Sequence, residues 1–249
     1  MKIQPALFAS VPMKLDKYSS IVSISNTNNT RSLTKCTAKD SKCIKDSAQA
    51  IITKFAGGIP ELNVQKLDPL AIREVIDASS NNLKLTVANM VVTGLKGCVA
   101  KKIERDPSKS KLFTRLLCTV HAEGDYEMDG RLLILPIQGK GKAKVTLNKI
   151  QMDVMSDLND RAGRDGKKHW HVKSFRYSYE LKDKAFLKFE NLFNGNALLA
   201  RAADNIIESN PNEIITEIGN PIIKKIVDKI VEEVNHFYKA IPVEELSLD

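Results

Sequence analysis

Apolar and polar residues change period several times along this chain, and each change marks an element. Ile44, Ala48, Ile51, Ile52 and Phe55 recur at helical spacing. Ser41 is placed to cap that helix, and Gly57-Gly58 to end it. Period-two alternation follows. It predicts a strand over 83–93, a break at Gly94-Leu95, and strands over 96–105 and 110–122 flanking a turn at Asp106-Pro107-Ser108. Residues 128–154 read as one long strand. Gly124 and Gly130 allow it to bend, Leu132 to Leu135 is unbroken apolar, and Ala143, Val145 and Leu147 then oppose Lys142, Lys144 and Thr146. Past Leu147 the phase slips to Ile150, Met152 and Val154, which predicts a bulge near Asn148. A polar loop over 157–168 leads to a strand over 169–181 with Phe175, Tyr177, Tyr179 and Leu181 on one face, then to a short strand over 185–190.

The remainder is helical. One helix is predicted over 196–209 and a longer one over 212–238, whose stripe is Ile214, Ile215, Ile218, Ile222, Ile226, Ile230, Val234 and Phe237. Gly219-Asn220-Pro221 should kink or split the long helix. Helix, then many strands, then helices is the order of an α+β fold. No Pro/Gly/Ser-rich linker interrupts residues 40–240, so one domain is expected over 36–249. Residues 1–35 differ: Ser19–Ser32 is rich in Ser, Asn and Thr and reads as part of a flexible N-terminal arm.

Composition changes the picture little. The 249 residues are 43% hydrophobic and 27% charged, as in ordinary soluble domains, and no apolar run approaches the ~20 residues that span a bilayer. The net charge of +8 raises the question of nucleic acid. Lys140, Lys142 and Lys144 fall on one strand face, but the aromatics lie elsewhere and no nucleic-acid module is present, so no nucleic-acid partner is expected. Weak contact with anionic membrane surfaces fits the charge better.

Candidate chemistry is sparse. His169 and His171 are two apart on a strand without a third ligand nearby, and an exposed pair is expected rather than a metal site. Phosphate-loop, dinucleotide and nucleophile-elbow motifs are lacking, so neither enzymatic activity nor a cofactor is expected. Four cysteines allow three pairings. In a hairpin turning near residue 108, Cys98 and Cys118 are cross-strand neighbours, either bonded or two buried thiols.

Several blocks together resemble the insect takeout and juvenile-hormone-binding-protein family. They are Gly57-Gly58-Ile59-Pro60-Glu61-Leu62 with Leu67-Asp68-Pro69-Leu70; the pattern from Gly124 through Asp129-Gly130-Arg131 and Leu135-Pro136-Ile137 to Gly141; Asn191-Leu192-Phe193-Asn194-Gly195-Asn196; and Pro242-Val243-Glu244-Glu245-Leu246. They occur in order over residues 36–249, and Cys36 and Cys43 match the family's amino-terminal pair. The resemblance implies a long C-terminal helix wrapped by a highly curved antiparallel sheet, a TULIP-like fold with an internal hydrophobic tunnel. It also implies a Cys36–Cys43 disulfide and a non-catalytic, monomeric carrier of juvenile hormone or a similar terpenoid or fatty-acid-like lipid. Secretion follows from the resemblance, that cysteine pair and the sequon at Asn28. The amino terminus is a poor signal peptide, which favours an intracellular product. The competing functional reading is a basic lipid-surface or structural protein with no enclosed ligand.

The family motifs carry no ligand contacts, so the candidates come from this chain's own faces. The apolar ones are Leu85, Leu116, Phe175, Phe193, Ile215, Ile218 and Ile222, with Asn89, Tyr177 and Tyr179 to orient the ligand. The interruption at residues 219–221 is expected to border the ligand space.

Overall fold

The computed structural model describes residues 33–249; the sequon at Asn28 and most of the N-terminal arm lie outside the described residues. At the end of the arm, Leu33 packs on a small cluster around Ile59 and Phe237, the Thr34 amide donates to Ser47 Oγ at 3.0 Å, and Lys35 pairs with Glu245. Helix α1 runs Ser41–Gly57 and is capped by Asp40 rather than Ser41: the Asp40 carboxylate accepts the Cys43 amide at 2.9 Å.

Among the described residues eight strands form one antiparallel sheet: β1 (Leu70–Ile72), β2 (Ile76–Asp77), β3 (Leu83–Thr93), β4 (Val99–Asp106), β5 (Lys111–Leu132), β6 (Leu135–Ala162), β7 (Lys168–Leu181) and β8 (Ala185–Phe189). Helices α2 (Ala197–Ser209), α3 (Pro211–Ala240) and α4 (Val243–Leu246) complete the fold. The architecture is α+β, a long C-terminal helix against a large, open, curved sheet, as expected.

Two strand expectations fail: β6 continues through Ala162, into the polar loop expected over 157–168, and the long strand is misjoined. Residues 128–154 are not one bent strand but parts of two, β5 and β6, joined by a tight hairpin at Leu133-Ile134. The turn carries two aliphatic residues where Gly, Asn or Asp is usual, with Leu133 at φ +53° and Ile134 85% exposed, so the sequence shows no turn signal there. The glycines read as bends in one strand both lie on β5 and face β6: Gly124 opposes Ala143, and Gly130 opposes Ile137.

The β5–β6 hairpin is the frame of the sheet. Along its length the outer neighbours change: β3 and β8 flank the half nearer the turn, and β4 and β7 the far half. At the junction β6 changes phase while β5 does not: Asn148 and Lys149 oppose Thr119 alone, and Lys149 takes φ +48°. This is the bulge expected near Asn148. Strands of 22 and 28 residues reach roughly 70 and 90 Å when extended, whereas the 30 residues of α3 span about 45 Å. The strands therefore have to coil across the helix to bury their apolar face on it.

After β8 the chain crosses back over β6, and two glycines let it pass. A Cβ on Gly141 would lie 2.6 Å from Glu190 O, and one on Gly139 would lie 2.7 Å from the Tyr126 hydroxyl and 3.1 Å from Leu192 Cα. The Tyr126 hydroxyl pins the crossing by donating to Glu190 O at 2.7 Å.

Helix α3 is not split at Gly219-Asn220-Pro221. It runs unbroken through Pro221, although the proline lacks the amide that would bond the Glu217 carbonyl. Burial of Ile214, Ile215, Ile218, Ile223 and Val227 under the sheet, and of Phe237 against Ile51 and Ile59, outweighs that one lost bond. Ile222, Ile226 and Ile230 are only partly buried; Ile223 and Val227 beside them lie deeper. Both disulfides are formed, Cys36–Cys43 and Cys98–Cys118, and the neighbouring pairs Val99↔Leu117 and Ala100↔Leu116 hold the register that brings the second pair together.

Gly141→Ala should lower stability by about 1–3 kcal/mol, because backbone at Glu190 has to yield. Gly97→Ala, where the added methyl meets nothing within 4 Å, should be nearly neutral. Thermal and urea unfolding of the two variants measures the contrast.

Candidate functional site

The inner faces of β3, β5, β6 and β8 converge on one side of α3, and they do not fill the space between. An apolar cavity of about 90 Å³ remains. Leu85, Val87 and Met90 line it from β3, Val120 and Ala122 from β5, and Ala143, Val145 and Leu147 from β6. Leu187 and Phe189 of β8 close one wall, and Ile215, Ile218, Gly219, Ile222, Ile223 and Ile226 of α3 close the other. Gly219 holds the space open, since even one methyl there would sit 3.2 Å from Ile215 Cγ2.

Of the ten candidates, the structure brings four together at this cavity: Leu85, Ile215, Ile218 and Ile222. Of residues 219–221 only Gly219 lines the cavity, with Ile222 beside it, and the helix there is continuous rather than split. Leu116, Phe175, Tyr177, Tyr179 and Phe193 pack on the same core without lining the cavity.

The three polar candidates are used within the protein. Asn89 sits at φ +49° in a bulge of β3 opposite Gly124, and the bulge turns it outward, where its amide donates to Asp125 at 2.8 Å. The Tyr177 hydroxyl bonds the Asn220 carbonyl and side chain, both at 3.1 Å, and the Tyr179 hydroxyl donates to Ile215 O at 3.2 Å. Burial pushes both phenol pKa values up, so the hydroxyls keep their protons.

The lining residues absent from the candidates had signals of their own. Val145 and Leu147 belong to the strict alternation of β6. In β3 the apolar phase changes from Leu83, Leu85 and Val87 to Met90 and Val92, the same slip that marks the bulge at Asn148, and it places Met90 inside and Asn89 outside.

Electrostatics separates this interior from the outer face. Lys140, Lys142 and Lys144 stand opposite Glu127, Asp125 and Glu123, and all three are paired with carboxylates; Lys144 also reaches Glu190. The strand face that carried the basic reading is a charge-balanced ladder. Farther along, Arg115 holds Asp153 through two contacts of 2.7 and 2.5 Å. His169 is not exposed: it is 5% accessible, bonded through Nδ1 to the Tyr238 carbonyl and through Nε2 to Asp165. His171 is partly buried, and burial lowers its pKa. Glu233, also buried, accepts the Gln65 amide at 2.6 Å and meets His236 at 3.1 Å. Among the described residues no cluster of three or more metal-binding side chains occurs.

Comparison with known proteins agrees with this architecture. The family model described as haemolymph juvenile hormone binding protein matches residues 19–248. The crystal structure of Takeout 1 from Epiphyas postvittana superposes with a TM-score of 0.83 and 27% identity, covering 86% of this chain and 99% of that one. The circadian clock-controlled protein daywake of Drosophila melanogaster is 25% identical over 86% of each chain. The juvenile hormone-binding protein of Manduca sexta is 21% identical over 55% of this chain and 59% of its own.

Two predictions follow from the geometry of the site and its surface. Ile222→Trp grows into the cavity and should leave the melting temperature within a few degrees, whereas Val227→Trp, buried away from the lining, should overpack at about 1–3 kcal/mol. Calorimetry of the two variants decides this. Arg115 and Lys142 hold the Asp153 and Asp125 carboxyls below their ordinary pKa values. A depressed folded pKa gives stability that is complete above the unfolded carboxyl value of about 4 and lost as pH falls below it. The melting temperature should be flat from about pH 8 to 5 and drop below 4, with a shallower drop in Asp153→Asn.

Proposed function

The chain belongs to the haemolymph juvenile hormone binding protein family, and we propose that it is a secreted, non-catalytic carrier that encloses an apolar ligand between α3 and the curved sheet. Members of this family carry lipids and hormones. The observation that carries the reading is the cavity: it is lined almost wholly by aliphatic side chains, and it lies where the longest helix meets both long strands. Burial of apolar ligand area at roughly 25 cal/mol per Å² gives affinity without a dedicated polar motif. The proposed ligand is juvenile hormone or a similar terpenoid, ester or fatty-acid-like lipid.

A space of about 90 Å³ is smaller than the roughly 300–1,000 Å³ of pockets that take drug-sized ligands. Binding therefore displaces lining side chains, and Ile222 and Ile226, only partly buried, have the least packing to lose. Extended along the helix, the widened space becomes the tunnel expected of the fold. The domain organisation proposed is a single carrier domain over residues 36–249 preceded by the arm, acting as a monomer. Two disulfides suit an oxidising, extracellular setting. The alternative, a basic surface protein with no ligand, loses its main support because the lysine face is paired with carboxylates.

Delipidated protein titrated with a panel of juvenile-hormone-like terpenoids and fatty acids should show saturable binding with a negative heat-capacity change and little dependence on salt. Bound ligand should raise the melting temperature. No binding across the panel by folded protein overturns the carrier reading. Expression in insect cells should deliver the chain to the medium with both disulfides intact; retention in the cytosol with free Cys36 and Cys43 would place it elsewhere.

A further inference from the structure

Helix α3 closes an open sheet, so it has two long seams. On one side Lys225 and Lys229 of α3 both reach Glu74, between β1 and β2, at 3.4 Å. On the other, α3 meets the edge strand β7, and this seam is incompletely packed. Toward its far end Asn235 mimics a strand partner: its side chain accepts the Val172 amide at 2.7 Å and donates to the Val172 carbonyl at 3.3 Å. Between that clasp and the cavity lies an open groove of about 490 Å³, floored by Val172, Phe175 and Val231 and rimmed by Lys173, Arg176, Lys224 and Asp228; Asp228 pairs with Lys224 at 2.8 Å, and the rim keeps a net positive charge.

Two tyrosines of β7 hold the stretch of α3 beside the groove. Tyr177 lines the groove and holds Asn220. Tyr179 holds the Ile215 carbonyl, and its hydroxyl lies 3.8 Å from the position of a Cβ on Gly219. The stretch of α3 that they grip, residues 215–222, is the stretch that lines the cavity. It is also the least secure part of the helix, containing an interior glycine and a proline that deprives the Glu217 carbonyl of its amide.

We propose that the β7–α3 groove is the entry site for the ligand, which docks there and passes sideways into the cavity when Tyr177 and Tyr179 release α3. The groove suits an amphipathic lipid anion such as a fatty acid: its floor takes the chain and its cationic rim the carboxylate. This inference rests on the carrier reading above.

The test separates rates from equilibrium, using the full chain and N-phenyl-1-naphthylamine as an apolar fluorescent probe, with oleate as competitor. In the double variant Tyr177→Phe and Tyr179→Phe, stopped-flow association and dissociation rates should both rise about fivefold or more, with Kd within about twofold. Lys224→Cys carrying a bulky maleimide should slow both rates at least tenfold, while the same label on Lys239→Cys, exposed on the same helix outside the groove, should behave as wild type. Oleate should displace the probe more slowly from Arg176→Glu. Saturable binding with rates unchanged in both the double variant and the labelled Lys224→Cys overturns the entry site and leaves the carrier reading standing. Absence of saturable probe or oleate binding to wild type overturns both.

Discussion

Helix α3 has to satisfy most of the apolar face of the β5–β6 hairpin, with α1 packed on β4 and α2 on β8. The β5–β6 hairpin presents an inner surface far longer than α3, and among the described residues no second sheet covers it, so the strands curl until their inner residues reach the helix. The other features described here serve that curl. The bulge at Asn148-Lys149 changes the strand phase where the outer neighbours change, and the bulge at Asn89 does the same in β3. Gly139 and Gly141 let the return crossing pass close over β6. The Cys98–Cys118 bond ties β4 to β5 at the point where β3 gives way to β4.

A curved layer around a cylinder packs less completely than two flat layers, and the shortfall is greatest where the helix surface is thinnest. Gly219 is that point. Replacing it with a larger residue would fill the cavity from the helix side, so the space follows from the choice of glycine and not from chance in packing. The interior of a globular protein is normally packed as densely as an organic crystal, and an apolar void loses contacts on every side. The void here is lined by at least fifteen aliphatic or aromatic side chains, so filling it with an apolar molecule regains contacts that folding alone leaves unmade.

The sequence shows much of this frame because periodicity follows burial. Strand β3 is predicted to the residue, α2 to within one position, and the Cys98–Cys118 neighbours emerge from hairpin arithmetic. Its failures have particular causes. The turn at Leu133-Ile134 carries aliphatic residues in place of turn chemistry, so two strands read as one. Pro221 reads as a break because local propensity cannot register the burial of six apolar side chains that keeps α3 whole. At the site, apolar lining was within reach because inward phase is a property of each strand. The roles of Tyr177, Tyr179 and Asn89 were not, since whether a polar tip faces a ligand or a backbone carbonyl depends on a partner distant in sequence.

Those polar partners also explain how a largely aliphatic interior can remain orderly. Aliphatic contacts fix no register along a helix, and α3 could slide by a turn against the sheet at modest cost in packing. The hydroxyls of Tyr177 and Tyr179, the Asn235 clasp on Val172, the Glu233 carboxylate on the Gln65 amide and His169 on the Tyr238 carbonyl each meet a single point on the helix or the sheet. A one-turn slip would leave all of them unpaired at once, at about 1–3 kcal/mol for each buried group. The apolar surface supplies the attraction and these few directional bonds choose one alignment. Nearest the cavity that alignment rests on the two phenols and on the Glu217 carboxylate, which accepts the Leu133 amide at 3.1 Å.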